Sequence, residues 1–176
     1  SDILTKFGTD EFKFSTTSVG DHVIEVNKSS TLALLRYLKE YAGFDFLMDV
    51  CGVDFPIRAK RFDVVYHLFN SKDFSRLRVK THLSEGESIG TATGIWKGAD
   101  WFEREAYDMF GIVFSGHPNL RKILTHHQFV GYPLRKDYEA DAQQHCDSVL
   151  PVHFDNTPEQ RGDLLDSRFV PINIGP

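Results

Sequence analysis

Apolar and polar residues alternate along two stretches, Phe62 to Phe69 (FDVVYHLF) and Leu77 to Leu83 (LRVKTHL), and each reads as a β-strand. In the second, Leu77, Val79, Thr81 and Leu83 point one way and Arg78, Lys80 and His82 the other. One face of the sheet is therefore expected to be solvated, as antiparallel sheets allow. The polar loop SKDFS joins the two strands. Upstream, Asp21 to Val26 (DHVIEV) predicts a strand paired with Glu11 to Phe14. Thr31 to Ala42 predicts a helix, with Leu32, Leu35, Leu38 and Ala42 at helical spacing, Ser29 or Ser30 as its cap and Gly43 at its end. Phe44 to Val53 is compatible with a strand or with a buried turn of helix. The order of elements predicts an α+β fold, a small, largely antiparallel sheet with helices on one face.

The pattern changes near His117. Six of the seven prolines lie from Pro118 onward, and no long helical or strand periodicity survives. Phe129, Tyr132, Tyr138, Phe154 and Phe169 still punctuate this stretch, which distinguishes it from a low-complexity tail. The expected organisation is a core domain over residues 1–124 and an extended arm over residues 125–176 that orders on a partner, the alternative being a loop wrapped over its own domain.

Between them lies the most informative segment, WFEREAYDMFGIVFSGHPNLRKIL from Trp101 to Leu124. Asp100 and Glu103 have the spacing of an acidic capping box, and Gly111 supplies a helix stop. At about 100° per residue, Phe102, Ala106, Met109 and Phe110 share the expected buried arc, with Glu103 inside it as a cap. The opposite arc holds Trp101, Arg104, Glu105 and Asp108, a tryptophan among charges of the kind found at protein–protein hot spots. Asp108 sits in the last turn, where the helix dipole disfavours an anion. An ion-pair network through Arg104, Arg121 or Lys122 is the expected remedy, tying the helix to GHPNLRKIL. On that reading, charge reversal at Arg104 or Asp108 lowers assembly and leaves the isolated domain folded.

The chain's chemistry is otherwise sparse. A net charge of -5 speaks against a nucleic-acid footprint. The two cysteines, Cys51 and Cys146, are too few for an iron–sulfur cluster or an all-thiolate zinc site. No apolar run reaches the roughly 18 residues of a membrane span, so membrane association is expected to be indirect. Gly86-Glu87-Ser88-Ile89-Gly90 has the G-x-S-x-G pattern, but the TATGIWKG that follows is not the helix a nucleophile elbow requires, and a flexible loop is expected there. Glu105, Asp108, His117, His126, His127 and His145 offer metal-ligating groups without any H-E-x-x-H or paired C-x-x-C spacing. A small metal-dependent hydrolase is the alternative of a different class. The expected sets of catalytic, cofactor-binding and metal-binding residues are empty.

The segment EREAYDMFGIVFSGHPNLRKIL closely resembles the motif of the 30-kDa (C) subunit of respiratory complex I, NADH:quinone oxidoreductase. Glu103, Arg104, Glu105, Asp108, Gly111, Gly116, His117, Pro118, Leu120 and Arg121 match position by position, while Lys122 stands where arginine is common. GYPLRKDYE, with Arg135, Lys136 and Asp137, resembles the family's second landmark, with Tyr132 where histidine is usual. The resemblance covers roughly residues 20 to 138. FVPINIGP, from Phe169 to Pro176, is similar to the opening of the neighbouring 49-kDa (D) subunit, the expectation being the C part of a fused C/D polypeptide.

The resemblance implies a cofactor-free structural and assembly subunit, with FMN, iron–sulfur clusters and quinone in partner subunits. It implies contacts with the 49-kDa subunit and with cluster-bearing subunits, made by the matched residues and Trp101. It also implies a peripheral position on the cytoplasmic face of the bacterial inner membrane, or on the matrix side in mitochondria. The equivalent subunit of a membrane-bound hydrogenase or ferredoxin-dependent complex is the alternative within this class.

Overall fold

The computed structural model describes residues 12–18, 20–126, 128–139, 141 and 144. All of them fall in the first of two units, Ser1–Gln144. A short hairpin opens the fold: β1 (Phe12–Thr16) pairs antiparallel with β2 (His22–Val26). Helix α1 (Lys28–Glu40) follows, then the strands β3 (Phe46–Asp54), β4 (Phe62–Phe69) and β5 (Arg76–Leu83) meander back to the middle of the sheet. The sheet order is β1-β2-β5-β4-β3. Three of its pairings are antiparallel, and β2 with β5 is parallel. The largely antiparallel α+β fold is thus as expected, and the open segment 44–53 resolves as a strand.

Local chemistry explains where α1 starts. Asn27 is its N-cap residue and makes no side-chain cap, so the helix begins before the expected serines. The Asn27 carbonyl instead accepts from the Thr31 hydroxyl at 3.0 Å. Thr31 also meets the Thr81 hydroxyl at 3.1 Å, a buried contact between α1 and β5. Leu34, Leu35 and Leu38 then line the apolar stripe that covers the sheet. In β5 the predicted alternation holds: Leu77, Val79, Thr81 and Leu83 are buried and Arg78, Lys80 and His82 half-buried. Those three are paired, Arg78 with Asp21 at 2.5 Å and both Lys80 and His82 with Asp63.

Residues 86–98 are not the flexible loop their glycines predict. Strand β6 (Ser88–Gly90) pairs in parallel with β7 (Val113–Ser115), clasping the chain on either side of helix α2 (Ala99–Phe110). Trp96 is buried, and its indole N–H donates to the Asp45 carbonyl at 3.1 Å. Burial of Ile89, Ala92, Ile95 and Trp96 outweighs the conformational freedom of the glycines between them. Ser88 lies in a strand, so no nucleophile elbow forms. Between Gly116 and Glu139 the described residues contain neither helix nor strand and fold back over the domain; the rest of the expected arm, including Phe154 and Phe169, lies outside the described residues.

Candidate partner interface

Helix α2 lies against β3, and the close approach depends on Gly52. A Cβ there would stand 2.7 Å from the Phe110 ring and 2.9 Å from Ile112. Gly98 is the N-cap residue, with no side-chain cap. The expected capping box is absent because the helix starts early, which moves Glu103 out of the N3 position. Asp100 stays in the first turn, where its charge suits the dipole. Glu103 turns inward, fully buried, and caps a different segment: its carboxylate accepts from the Thr91 hydroxyl at 2.5 Å and the Ala92 amide at 2.6 Å. Burial pushes its carboxyl up to about 7 against those two hydrogen bonds, and Asp100 adds to the rise.

The expected exposed arc is mostly covered. Trp101 is 63% exposed and Glu105 is exposed, but Arg104 and Asp108 are buried. On the expected buried arc Ala106 and Met109 are buried and Phe102 and Phe110 half-buried. Helical phase alone could not place Arg104 and Asp108 correctly, because the cover is a second segment distant in sequence. Residues 117–125 fold back over that side of α2. The Asp108 carboxylate accepts from the amides of Ile123 (2.9 Å), Leu124 (2.7 Å) and Thr125 (2.9 Å) and from the Thr125 hydroxyl (2.5 Å). This cradle of main-chain N–H groups, not an ion pair, offsets the unfavourable dipole. Burial pushes the Asp108 carboxyl up, but the Thr125, Leu124 and Ile123 donors together hold it below the usual range.

The other motif residues continue the fastening. Arg104 Nε donates to the Arg121 carbonyl at 3.3 Å, and its guanidinium lies 4.9 Å from the centre of the Trp101 ring. The buried His117 imidazole bridges the Asp100 carbonyl (3.2 Å) and the Asn119 amide (3.0 Å), shaping the turn around the exposed Pro118. Lys122 Nζ donates to the carbonyls of Phe129 (2.8 Å) and Gly131 (3.4 Å), pairing with no carboxylate among the described residues. The expected link between helix and GHPNLRKIL exists, but hydrogen bonds to main chain make it.

GYPLRKDYE then straps the end of α2 to the sheet. Leu134 N–H donates to the Met109 carbonyl at 3.1 Å and Arg135 Nε to the Phe110 carbonyl at 2.7 Å, satisfying end carbonyls of the helix. Arg135 also pairs with Glu85 at 2.8 Å. Beside it, Arg61 makes a two-pronged pair with Asp54 (2.8 and 2.9 Å) and reaches Asp137 at 2.8 Å, while the exposed Lys136 donates its amide to Asp54 at 2.8 Å. Arg61 and Asp54 were not legible as site residues, since their partners stand more than 70 residues away. Gly111 takes a left-handed φ of 76°, and a Cβ there would sit 2.6 Å from the Tyr132 ring and 2.8 Å from Arg135. Gly111→Ala should therefore cost about 2 kcal/mol in urea unfolding. A loss below about 0.5 kcal/mol would show that the strap tolerates displacement.

Among the described residues, Glu105, Asp108, His117 and His126 do not gather into a ligand set; His127 and His145 lie outside them. The charged motif is engaged in fastening a strap to a helix on an α+β scaffold. Residues 24–144 match the model of the family described as the respiratory-chain NADH dehydrogenase, 30 Kd subunit. The chain belongs to that family, as the resemblance implied.

Among its relatives, a C/D chain of NADH-quinone oxidoreductase from Bdellovibrio bacteriovorus is 67% identical over 97% of this chain and 30% of its own length. A C-type subunit of NADH-quinone oxidoreductase from Sinorhizobium medicae is 51% identical over 68% of this chain and 60% of its own. The chain thus spans under a third of the C/D relative and about three fifths of the separate one. Among solved structures, a chain of the membrane-bound sulfane sulfur reductase, an archaeal respiratory membrane complex, aligns with a TM-score of 0.63 at 24% identity, covering 78% of this chain and 82% of that one. At that identity the likeness concerns the fold alone.

Proposed function

We propose that this chain is a structural and assembly subunit of the peripheral arm of a proton-pumping NADH:quinone oxidoreductase, one that holds no redox group and braces the 49-kDa subunit and the quinone-site region. The observation that carries the reading is the family match over 24–144, which spans both the α2 motif and the strap. FMN, iron–sulfur clusters and quinone belong to partner subunits on this view. The C/D relative supports association with the 49-kDa subunit, and also the expectation that this sequence is the C part of a fusion. Phe169 to Pro176, which prompted that expectation, lie outside the described residues. Among the described residues no helix is long and apolar enough to cross a membrane, which supports attachment through partners. The cytoplasmic face of the inner membrane is the proposed location.

Two roles within the motif are separate. Arg104, Asp108, His117, Lys122 and Arg135 set the strap, while Trp101 and Glu105 offer side chains to a partner, alongside the exposed Arg121 and Lys136. The residues from 145 onward are proposed as the part of the arm that reaches partners.

Trp101→Ala tests this in the assembled complex. Its recovery with the cluster-bearing subunits, measured by affinity purification from native membranes, should fall about tenfold or more, the effect of losing an aromatic anchor. The melting temperature of the variant chain should stay within a few degrees of the parent, because Trp101 is exposed. Undiminished recovery of those subunits and full quinone reductase activity would remove Trp101 from the interface.

A further inference from the structure

We infer that Asp49, Cys51 and His67 form a site for one zinc(II) ion on the open face of the five-stranded sheet. Asp49 and Cys51 stand two apart on β3, and His67 lies directly opposite Asp49 on β4. Residues two apart on a strand share a face, and directly opposed residues are cross-strand neighbours. The intervening Val50, and Tyr66 and Leu68 on either side of His67, point into the core. The three ligand atoms therefore converge on the side away from the helices, each half-buried and within 4.8 Å of the others.

The distances suit a tetrahedral ion. Zinc–sulfur and zinc–nitrogen bonds of about 2.3 and 2.0 Å imply a sulfur–nitrogen edge of roughly 3.5 Å. Cys51 Sγ and His67 Nε2 are already 3.7 Å apart. An Asp49 oxygen lies within 4.8 Å of both atoms, close to the edge lengths such a site needs. Thiolate with imidazole selects zinc over calcium or magnesium, and a fourth position stays open to water. On binding, the Cys51 S–H bond is exchanged for a sulfur–zinc bond and the proton leaves to solvent.

The surrounding charges permit a cation. Arg78, opposite His67 on β5, is the nearby positive group, and it is held by Asp21 at 2.5 Å. Glu105 on α2 adds negative charge near Cys51. The expected absence of metal rested on linear motifs, and a D-x-C with a histidine on the neighbouring strand has none. The ion would join edge strand β3 to β4 just past the register shift between Leu47 and Asp49. Zinc has no redox chemistry, so this site is independent of the proposed assembly role.

The test uses the full chain stripped by a chelator, then titrated with zinc(II) by calorimetry and with cobalt(II) by absorbance. One ion per chain is expected, with a thiolate-to-cobalt charge-transfer band. Cys51→Ser should abolish the band and weaken zinc binding at least about 100-fold, and His67→Gln at least about tenfold. Cys146→Ser should leave both unchanged. Circular dichroism of the metal-free variants checks that each is folded, and Asp49→Asn supplies a third, isosteric probe. Lack of stoichiometric binding, or binding that survives Cys51→Ser and His67→Gln, or binding that is lost in Cys146→Ser, would overturn the site.

Discussion

Replacing Asp108 with alanine should lower the stability of the domain by about 3–4 kcal/mol, read from urea unfolding of the chain at neutral pH. The side chain is fully buried and its two oxygens take four donors, three of them main-chain N–H groups of Ile123, Leu124 and Thr125. Hydrogen bonds to an ionised acceptor contribute about 1.5–3 kcal/mol each in isolation, but donors near the surface regain water when it is lost. Asp108→Asn keeps the shape and one acceptor, so it should lose roughly half as much. Asp108→Lys should leave the isolated domain unfolded, because a buried ammonium would face three N–H groups. This reverses the expectation that charge reversal here acts on assembly alone.

Its pH signature follows from the depressed carboxyl. The folded pKa lies below the unfolded value of about 3.9, so the stabilisation is present above about pH 4 and is lost as pH falls through the folded value. Acid unfolding of Asp108→Asn should therefore be shallower than that of the parent. Limited proteolysis adds a local readout, with new cleavage between 117 and 125 in the alanine variant. Loss of less than about 1 kcal/mol, without such cleavage, would mean the strap does not depend on this carboxylate.

What was legible in the sequence was whatever depends on neighbours along the chain. The alternation of Leu77, Val79, Thr81 and Leu83 is a local property of a strand, and β5 forms where that pattern lies. Gly111 stops α2 because a left-handed residue is needed there, also a local requirement. The parallel pairing of β2 with β5 was not legible, since it depends on where the meander returns after β4. The helical wheel places Asp108 and Arg104 toward solvent because it carries no information that residues 117–125 return to cover them. Lys122 is the same case: its positive charge predicted a carboxylate partner, and the strap's geometry gave it carbonyls. Both family landmarks prove to be two sides of one contact. Tyr132, where the family pattern has histidine, lies against Gly111 and beneath Arg135, whose guanidinium carbon is 4.5 Å from its ring centre.

Glu103 should make the stability of this domain fall as pH rises from about 4.5 to 8, by roughly 3 kcal/mol in total. Its carboxyl is pushed up to about 7 in the fold from an ordinary 4.5, first by burial, with Asp100 adding and the Thr91 and Ala92 donors opposing. A raised folded value means the folded state holds the proton more tightly than the unfolded chain. The protonated form is therefore stabilising below about pH 4.5, and that contribution is lost progressively as pH climbs through 7. The opposite sign to Asp108 comes from geometry. Asp108 has four donors on an ionised group, whereas Glu103 has one amide and a hydroxyl that is also within 2.9 Å of Thr93. With Glu103 protonated, its O–H donates to Thr91, and the Thr91 hydroxyl is free to donate to Thr93.

Glu103→Gln mimics the protonated acid at every pH. It keeps an acceptor for Ala92 and a donor for Thr91, so it should match the parent near pH 4.5 and exceed it by about 3 kcal/mol near pH 8. The other ionisable groups around it, Asp100, His117 and Tyr66, remain in both proteins. The difference between the two stability curves therefore isolates this one carboxyl. Curves that run parallel from pH 4.5 to 8 would show that Glu103 titrates at an ordinary value. In that case its burial must be compensated by donors that the Thr91–Ala92 turn does not supply.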